Sequence, residues 1–381
     1  MSSWPSLVVG IPVQITGEGI GLFRPVFPER RVKVKEKSLK SHGGVSPKIV
    51  RKRNIFYIYG YKRDGVGMDD CLAVPETDNQ IILCDMTEVN SGYAVGVDVG
   101  GSHVSSAVVD LEKGVIVGEP LTTPVDHTCS AEEMFSAWTK NLRELISSSG
   151  LPVRKIGMAF PGPFDYERGI SHMEHKFVSI KELVVGDILQ ARLLDFPGLE
   201  FKYVNDAGAF ALGESCYGAA KGVEKVLVLT LGTGLGSGFV ENNRIVREGD
   251  TVPPGGEVWN LPWGEDIADS AFSTRWIVGK YASLSGKVVA GAKEVALAFD
   301  TDPFAREVFT EFGAGLAKFT APLLEKFGAH DIILGGNISR NLDKFLPAMM
   351  RVYGQKGMDV HIQASSLLDK AAMLGAASLF A

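Results

Sequence analysis

The sequence predicts an α/β protein with an internally duplicated core. From residue 86 onward, β-type runs alternate with helical patterns, as mixed α/β layers require. In addition, two glycine-centred hairpins, "VGVDVGGSHVSSAVVD" at 95–110 and "VLTLGTGLGSGFVENNRIV" at 228–246, repeat one plan about 130 residues apart.

Residues 1–85 stand apart from this pattern. The chain has 381 residues, 45% hydrophobic and 22% charged, enough for two domains around sizeable cores. Residues 24–64 hold thirteen Lys/Arg against three Asp/Glu, while residues 65–381 carry −15. A basic arm on an acidic body reads either as a nucleic-acid contact or as a solvated extension. "RRVKVKEKSLKSHGGVSPKIVRKRN" has no sustained helical stripe and no turn-separated pair of helices, which speaks against a helix-turn-helix. Residues 1–85 are therefore expected to be a poorly ordered, appended basic leader, with the functional unit starting at Met86. No apolar run reaches the roughly 18–20 residues of a membrane span. The first residues lack the basic and apolar stretches of a secretion signal. Cys71, Cys84, Cys129 and Cys216 form no C-x-x-C pair and read as reduced cytosolic thiols. A cytoplasmic protein without membrane or nucleic-acid partners is the expectation.

The elements follow in order. Ser130 and Glu133 form a capping box ahead of Met134, Trp138, Leu142, Leu145 and Ile146 at helical spacing, and Gly150 with Pro152 ends the run. "KIGMAF" (155–160) is a strand stopped by Pro161-Gly162-Pro163. "FKYV" (201–204) is another, leading through Asn205-Asp206 into the small-residue helix "AGAFALGES". "VEKVLVLTLG" enters the second glycine turn, whose hairpin turns again at Asn242-Asn243. Residues 303–327 form a helix with Phe304, Val308, Phe312, Leu316, Phe319 and Leu323 on one face. "DIILGGNISR" is a strand, a Gly-Gly turn and a helix, and the chain closes on a small-residue helix able to pack closely against the body.

Three glycine turns thus each follow a strand: Gly100-Gly101, Gly232-Thr233-Gly234 and Gly335-Gly336. Neither G-x-x-x-x-G-K-[ST] nor G-x-G-x-x-G is present, so each turn alone reads equally as a plain tight turn. Glycines at a strand–strand turn nevertheless let backbone N–H groups approach an anion. Asp98 sits inside an apolar strand, a costly place for a carboxylate without a role. Asp206 stands at a strand end, where capping the next helix is its alternative reading. Backbone donors with two carboxylates are what phosphoryl transfer needs: anion contacts, a Mg²⁺ holder and a proton acceptor.

The set resembles the actin-like ATPase superfamily, with its ribonuclease H-like duplicated two-lobe fold and central cleft, and within it the ROK family of repressors and sugar kinases. The resemblance covers about residues 93–381. It rests on "VGVDVGGSHVSSAVVD", "AFPGPFDYERG", "VNDAGAFALGE", "LTLGTGLGSGFV" and "ILGGNIS" in the family's order. It implies an N-terminal lobe over 86–204 joined by a helix at 367–381, and a C-terminal lobe over 205–366. It implies ATP contacts from Gly100, Gly101, Ser102, Gly232, Thr233, Gly234, Gly335, Gly336 and Asn337, with Asp98 holding Mg²⁺ through water. Asp206 would be the general base toward the sugar 6-hydroxyl, beside Asn205. A homodimer is the family's default.

The chain departs from the family after Gly256. Glu257 stands where the sugar-binding glutamate belongs, Trp259-Asn260 replaces Gly-His, and no cysteine follows Cys216, which rules out a thiolate zinc site. Asn260 can still bond sugar hydroxyls, and Asp269 matches a second sugar-binding glutamate. "HMEHKFVSIKEL" (172–183) resembles a zinc-free branch. The implied activity is an ATP-dependent, glucokinase-like hexose kinase. An N-acetylhexosamine kinase and a sugar-responsive transcriptional regulator are the alternatives, and polyphosphate as donor is equally compatible with these residues.

Overall fold

The computed structural model describes residues 92–381 throughout and, before them, the backbone of three strands, Lys48–Lys52 (β1), Ile55–Gly60 (β2) and Asp70–Pro75 (β3). These strands form an antiparallel sheet in the order β1-β2-β3, within a unit ending at Asn90; a second unit spans Ser91–Ala381. Met86, and the basic segment 24–64 apart from β1 and β2, lie outside the described residues.

The first half of the second unit begins with β4 (Tyr93–Val99), β5 (His103–Asp110), β6 (Val115–Pro124), α1 (Ala131–Ser149) and β7 (Lys155–Phe160). The short pair β8 (Phe164–Asp165) and β9 (Ile170–Ser171) follows, then α2 (Val185–Arg192), β10 (Glu200–Asn205) and α3 (Asp206–Tyr217). The sheet order is β10-β7-β4-β5-β6, with β4 parallel to β7 and antiparallel to β5. The capping box of α1 forms in full: Glu133 N–H donates to Ser130 Oγ at 3.3 Å, and Ser130 N–H to a Glu133 carboxylate oxygen at 3.0 Å. Met134, Trp138 and Leu142 are buried in this half's core, and Gly150 ends the helix in the left-handed region (φ 62°).

The second half repeats the hairpin plan with β11 (Lys225–Leu231), β12 (Leu235–Glu241) and β13 (Arg244–Val246). Next come β14 (Pro262–Trp263), β15 (Asp266–Ile267), α4 (Ala268–Ala271), α5 (Thr274–Ser285), α6 (Ala292–Leu297) and α7 (Pro303–Phe327). The chain ends through β16 (Asp331–Gly335), α8 (Gly336–Ser339), α9 (Leu342–Gln355), β17 (His361–Ala364) and α10 (Ala371–Ala377). Its sheet runs β13-β12-β11-β16-β17. The turn between β12 and β13 is left-handed at both Asn242 (φ 50°) and Asn243 (φ 59°), as a two-residue hairpin turn requires. On α7, Val308, Phe312, Leu316 and Phe319 are buried as the stripe predicts; Phe304, in the first turn beyond the core's edge, is exposed.

Small residues hold the two halves together. On one face of α10, a methyl at Gly375 would overlap the Ala209 carbonyl of α3, and one at Gly213 of α3 would overlap the Ala371 carbonyl. On its other face, methyls at Gly96 of β4 and Gly157 of β7 would overlap the carbonyls of Met373 and Ala376. In turn, α3 lays Ala207 and Ala211 against Gly236 and Gly238 of β12. The layers are therefore first sheet, α10, α3, second sheet. Only side chains of one carbon or fewer permit that spacing. The buried Glu214 of α3 fixes the approach to α10, accepting from Leu367 N–H at 3.0 Å and Ala219 N–H at 2.8 Å. This stack brings the strand of Asp98 and the helix start at Asp206 within electrostatic reach of each other.

Candidate active site

The chain passes from β10 into α3 at Asn205–Asp206. Asn205 is the helix cap: its Oδ1 accepts from Gly208 N–H at 3.1 Å, and its Nδ2 donates to the Tyr166 hydroxyl at 3.2 Å. The capping role open to Asp206 in the sequence thus falls to its neighbour. Asp206 is the first helical residue, with Oδ1 accepting from Ala207 N–H at 2.8 Å. Its side chain keeps contact with solvent, although the surrounding protein partly desolvates it. That burial raises its pKa above the usual carboxylate value, with Glu257 adding to the rise; Ala207 N–H and the Lys176 ammonium oppose it.

Asp98, near the end of β4, makes no side-chain hydrogen bond with the described residues. Burial first, then the charge of Asp206, pushes its pKa from 3.8 to about 6. The charge of Asp206 therefore reaches Asp98, and the two carboxylates lie within electrostatic range of each other.

Each glycine turn is shaped by short contacts of its own. In the first, Gly100 N–H donates to the His103 carbonyl at 2.9 Å, and Ser102 Oγ lies 3.0 Å from His103 Nδ1. In the second, Gly232 N–H donates to the Gly234 carbonyl at 3.0 Å, leaving Thr233 at the tip. In the third, a methyl at Gly335 would enter the Phe210 ring and one at Gly336 (φ 80°) would overlap the Leu231 carbonyl. Gly336 thus abuts the strand end that opens the second turn, with Asn337 exposed just beyond it.

Asp269 is placed beneath the second turn. Its Oδ1 accepts from Leu235 N–H at 2.7 Å and its Oδ2 from Arg275 at 2.8 Å, and it crowds the position where Gly234 would carry a Cβ. Thr274 completes the brace, donating through N–H and hydroxyl to the Gly232 carbonyl at 2.8 and 2.9 Å. Glu257 follows a one-turn helix at Pro254–Gly256 and accepts from the Trp259 indole N–H at 2.8 Å. Asn260 is exposed on the next turn. The structure therefore brings Asp98, Asn205, Asp206 and Glu257 within reach of one another, while Asp269 braces the second glycine turn.

Three further residues join the site. Tyr166 is half-buried between the Phe160 carbonyl, to which its hydroxyl donates at 3.2 Å, and Asn205. Arg247 lies over its ring, 4.9 Å from the centroid. Lys176 precedes Phe177, a buried residue in the left-handed region (φ 52°) that packs on Trp138 and His127. A strained anchor of this kind fixes the backbone that carries Lys176. Tyr166 and Lys176 fall inside the stretches "AFPGPFDYERG" and "HMEHKFVSIKEL"; nothing in the sequence singles out Arg247.

Among the described residues no group of three His, Cys, Asp or Glu could enclose a metal ion, and no helix is long and apolar enough to cross a membrane.

The two-lobed architecture matches solved ROK structures. A ROK hexokinase from Thermus thermophilus superposes with a TM-score of 0.64 at 24% identity, over 75% of this chain and 97% of that one. The chain belongs to the ROK family, whose sequence profile matches residues 94–252 and 267–381. It is 27% identical to a glucokinase of Thermotoga maritima over 319 residues, 75% of this chain and 96% of that protein. It is 24% identical to an N-acetyl-D-glucosamine kinase of Haemophilus influenzae over 318 residues, 75% and 98% of the two chains.

Proposed function

We propose that this protein is an ATP-dependent hexose kinase that phosphorylates the 6-hydroxyl, with glucose as the first substrate to expect. The observation that carries the reading is the placement of Asp206 at the start of α3, next to Asn205, without an ion pair among the described residues and within electrostatic reach of Asp98 and Glu257. The likeness to the Thermotoga glucokinase over nearly its whole length supports it.

In this reading Asn205 and Glu257 hold sugar hydroxyls, and Asp206 accepts the proton of the 6-hydroxyl as that oxygen attacks the γ-phosphorus. Its raised pKa makes it a stronger proton acceptor than an ordinary carboxylate. Backbone N–H groups of Gly100, Gly101, Gly232, Thr233 and Gly234, with the Ser102 hydroxyl, face the phosphates, and Gly335, Gly336 and Asn337 flank the adenosine. Asp98 suits hydrated Mg²⁺: it makes no side-chain hydrogen bond with the described residues and feels the charge of a second carboxylate, and phosphates and water would supply the remaining ligands. When bound there, Mg²⁺ would neutralise charge on the phosphoryl group. Asp269 acts by holding the second turn rather than by touching sugar. The lobes are taken as 86–204 with 367–381, and 205–366, in a cytoplasmic homodimer.

An N-acetylhexosamine kinase is the second reading, favoured by the likeness to the Haemophilus enzyme. A coupled ADP-release assay with Mg²⁺-ATP, offering glucose, N-acetylglucosamine, N-acetylmannosamine, mannose and fructose separately, tests both. Turnover with glucose supports the first, turnover confined to acetylated sugars the second, and no turnover with any sugar overturns the kinase reading.

A further inference from the structure

Arg247 follows the last strand of the second hairpin and turns back over Tyr166, its guanidinium carbon 4.9 Å from the ring centroid. It is half-buried, and burial lowers its pKa from the usual arginine value. Yet its N–H donors reach no acceptor among the described residues; Glu257 and Glu167 attract it only at longer range. A half-buried cation with unused donors is costly unless something completes it. Stacking on the tyrosine face contributes, but it leaves the in-plane N–H edge of the guanidinium free.

The surroundings indicate what would complete it. Tyr166 links Arg247 to Asn205, and Asn205 adjoins Asp206. Glu257 and the Tyr166 hydroxyl both approach Gly162: a Cβ there would lie 3.9 Å from a Glu257 oxygen and 3.5 Å from the hydroxyl. Around Gly162 the protein therefore presents a carboxylate that accepts, a guanidinium fork that donates and the flat ring of Tyr166. This pattern fits a polyol that offers both O–H donors and oxygen acceptors.

Resting on the hexose-kinase reading, we propose that Arg247 is a substrate-contacting specificity residue that donates to one acceptor oxygen of the bound sugar, remote from the reacting 6-hydroxyl. The acceptor is either a ring-carbon hydroxyl or the carbonyl of an acylamino group, and the same fork serves both. A contact made alike in the ground and transition states changes KM and leaves kcat nearly alone.

The test compares the full-length protein with Arg247→Met and Arg247→Lys. Sugar affinity is read without nucleotide from tryptophan fluorescence, to which Trp259 on Glu257 contributes, and kcat and KM from ADP release. The sugars are glucose, its 1-, 2-, 3- and 4-deoxy analogues, N-acetylglucosamine and glucosamine. Arg247→Met should weaken the preferred sugar roughly 10–100-fold with kcat within about threefold, the loss of one charge-assisted hydrogen bond. Arg247→Lys should recover only part of that. One analogue, lacking the contacted oxygen, should bind both proteins equally; glucosamine fills that place if the contact is an acyl carbonyl. Equal weakening of every sugar, or none, would overturn the proposal; the first result would leave Arg247 merely holding Tyr166. Binding without ADP release removes the kinase reading and leaves the contact standing. ADP release unaffected by Arg247→Met does the reverse, and a wild type that binds no sugar removes both.

Discussion

Replacing Asp98 by Asn should make the ligand-free protein more stable and nearly inactive. Its carboxyl titrates at about 6 in the fold and at 3.8 in the unfolded chain, with burial the first cause and Asp206 the second. The folded state therefore prefers the protonated form. The stabilising contribution is fully present below pH 3.8 and lost as pH rises through about 6. At about 1.4 kcal/mol per pH unit, ionised Asp98 costs the fold about 3 kcal/mol at pH 8. Asn is isosteric, cannot ionise and breaks no side-chain hydrogen bond, since Asp98 makes none with the described residues. The variant should gain ~2–3 kcal/mol at pH 8, roughly 4–10 °C in Tm for a protein of this size. At pH 5 linkage leaves about half that gain. Differential scanning fluorimetry at the two pH values reads both numbers, and the ADP assay reads the loss of turnover. A Tm that falls at pH 8, or a gain independent of pH, would refute the reasoning.

Other expectations follow from the same geometry. Because Asp98 and Asp206 both act ionised and both carry raised pKa values, kcat/KM should fall as pH drops through about 6, and a flat profile between pH 5 and 8 would contradict this. Asp269→Ala removes the acceptor of Leu235 N–H and the partner of Arg275, loosening the second turn. It should raise KM for ATP about tenfold or more while sugar affinity by fluorescence changes little; the opposite split would return Asp269 to the sugar site. Gly96→Ala would drive a methyl into the Met373 carbonyl and should destabilise the protein by more than about 3 kcal/mol in urea unfolding.

What the sequence revealed was chiefly local. The capping box of α1, the length of α7 and the Asn242-Asn243 turn each depend on neighbours within a few residues, and each is found where the pattern puts it. The glycine turns and the Asn205-Asp206 junction were legible because anion contacts and strand ends leave short motifs. The surroundings of Asn205 were not. Arg247 meets Tyr166 only after the second hairpin folds back over the loop that follows β7, a contact across about 80 residues with no sequence signature. Asp269 matched a family position by spacing, yet the structure spends its carboxylate on Leu235 N–H. Gly96, Gly157, Gly213 and Gly375 read as ordinary glycines until α10 is seen pressed between a sheet and a helix. Likewise, the cap that the sequence offered to Asp206 falls to Asn205, whose Oδ1 accepts from Gly208 N–H while its amide donates to Tyr166.

The central claim is that Asp206 takes the proton from the sugar hydroxyl. The most direct test measures kcat of Asp206→Ala alongside its sugar affinity by fluorescence. Turnover should fall on the order of 10²–10⁴-fold with affinity changed far less. A variant that binds sugar and turns over at close to the wild-type rate would contradict the account.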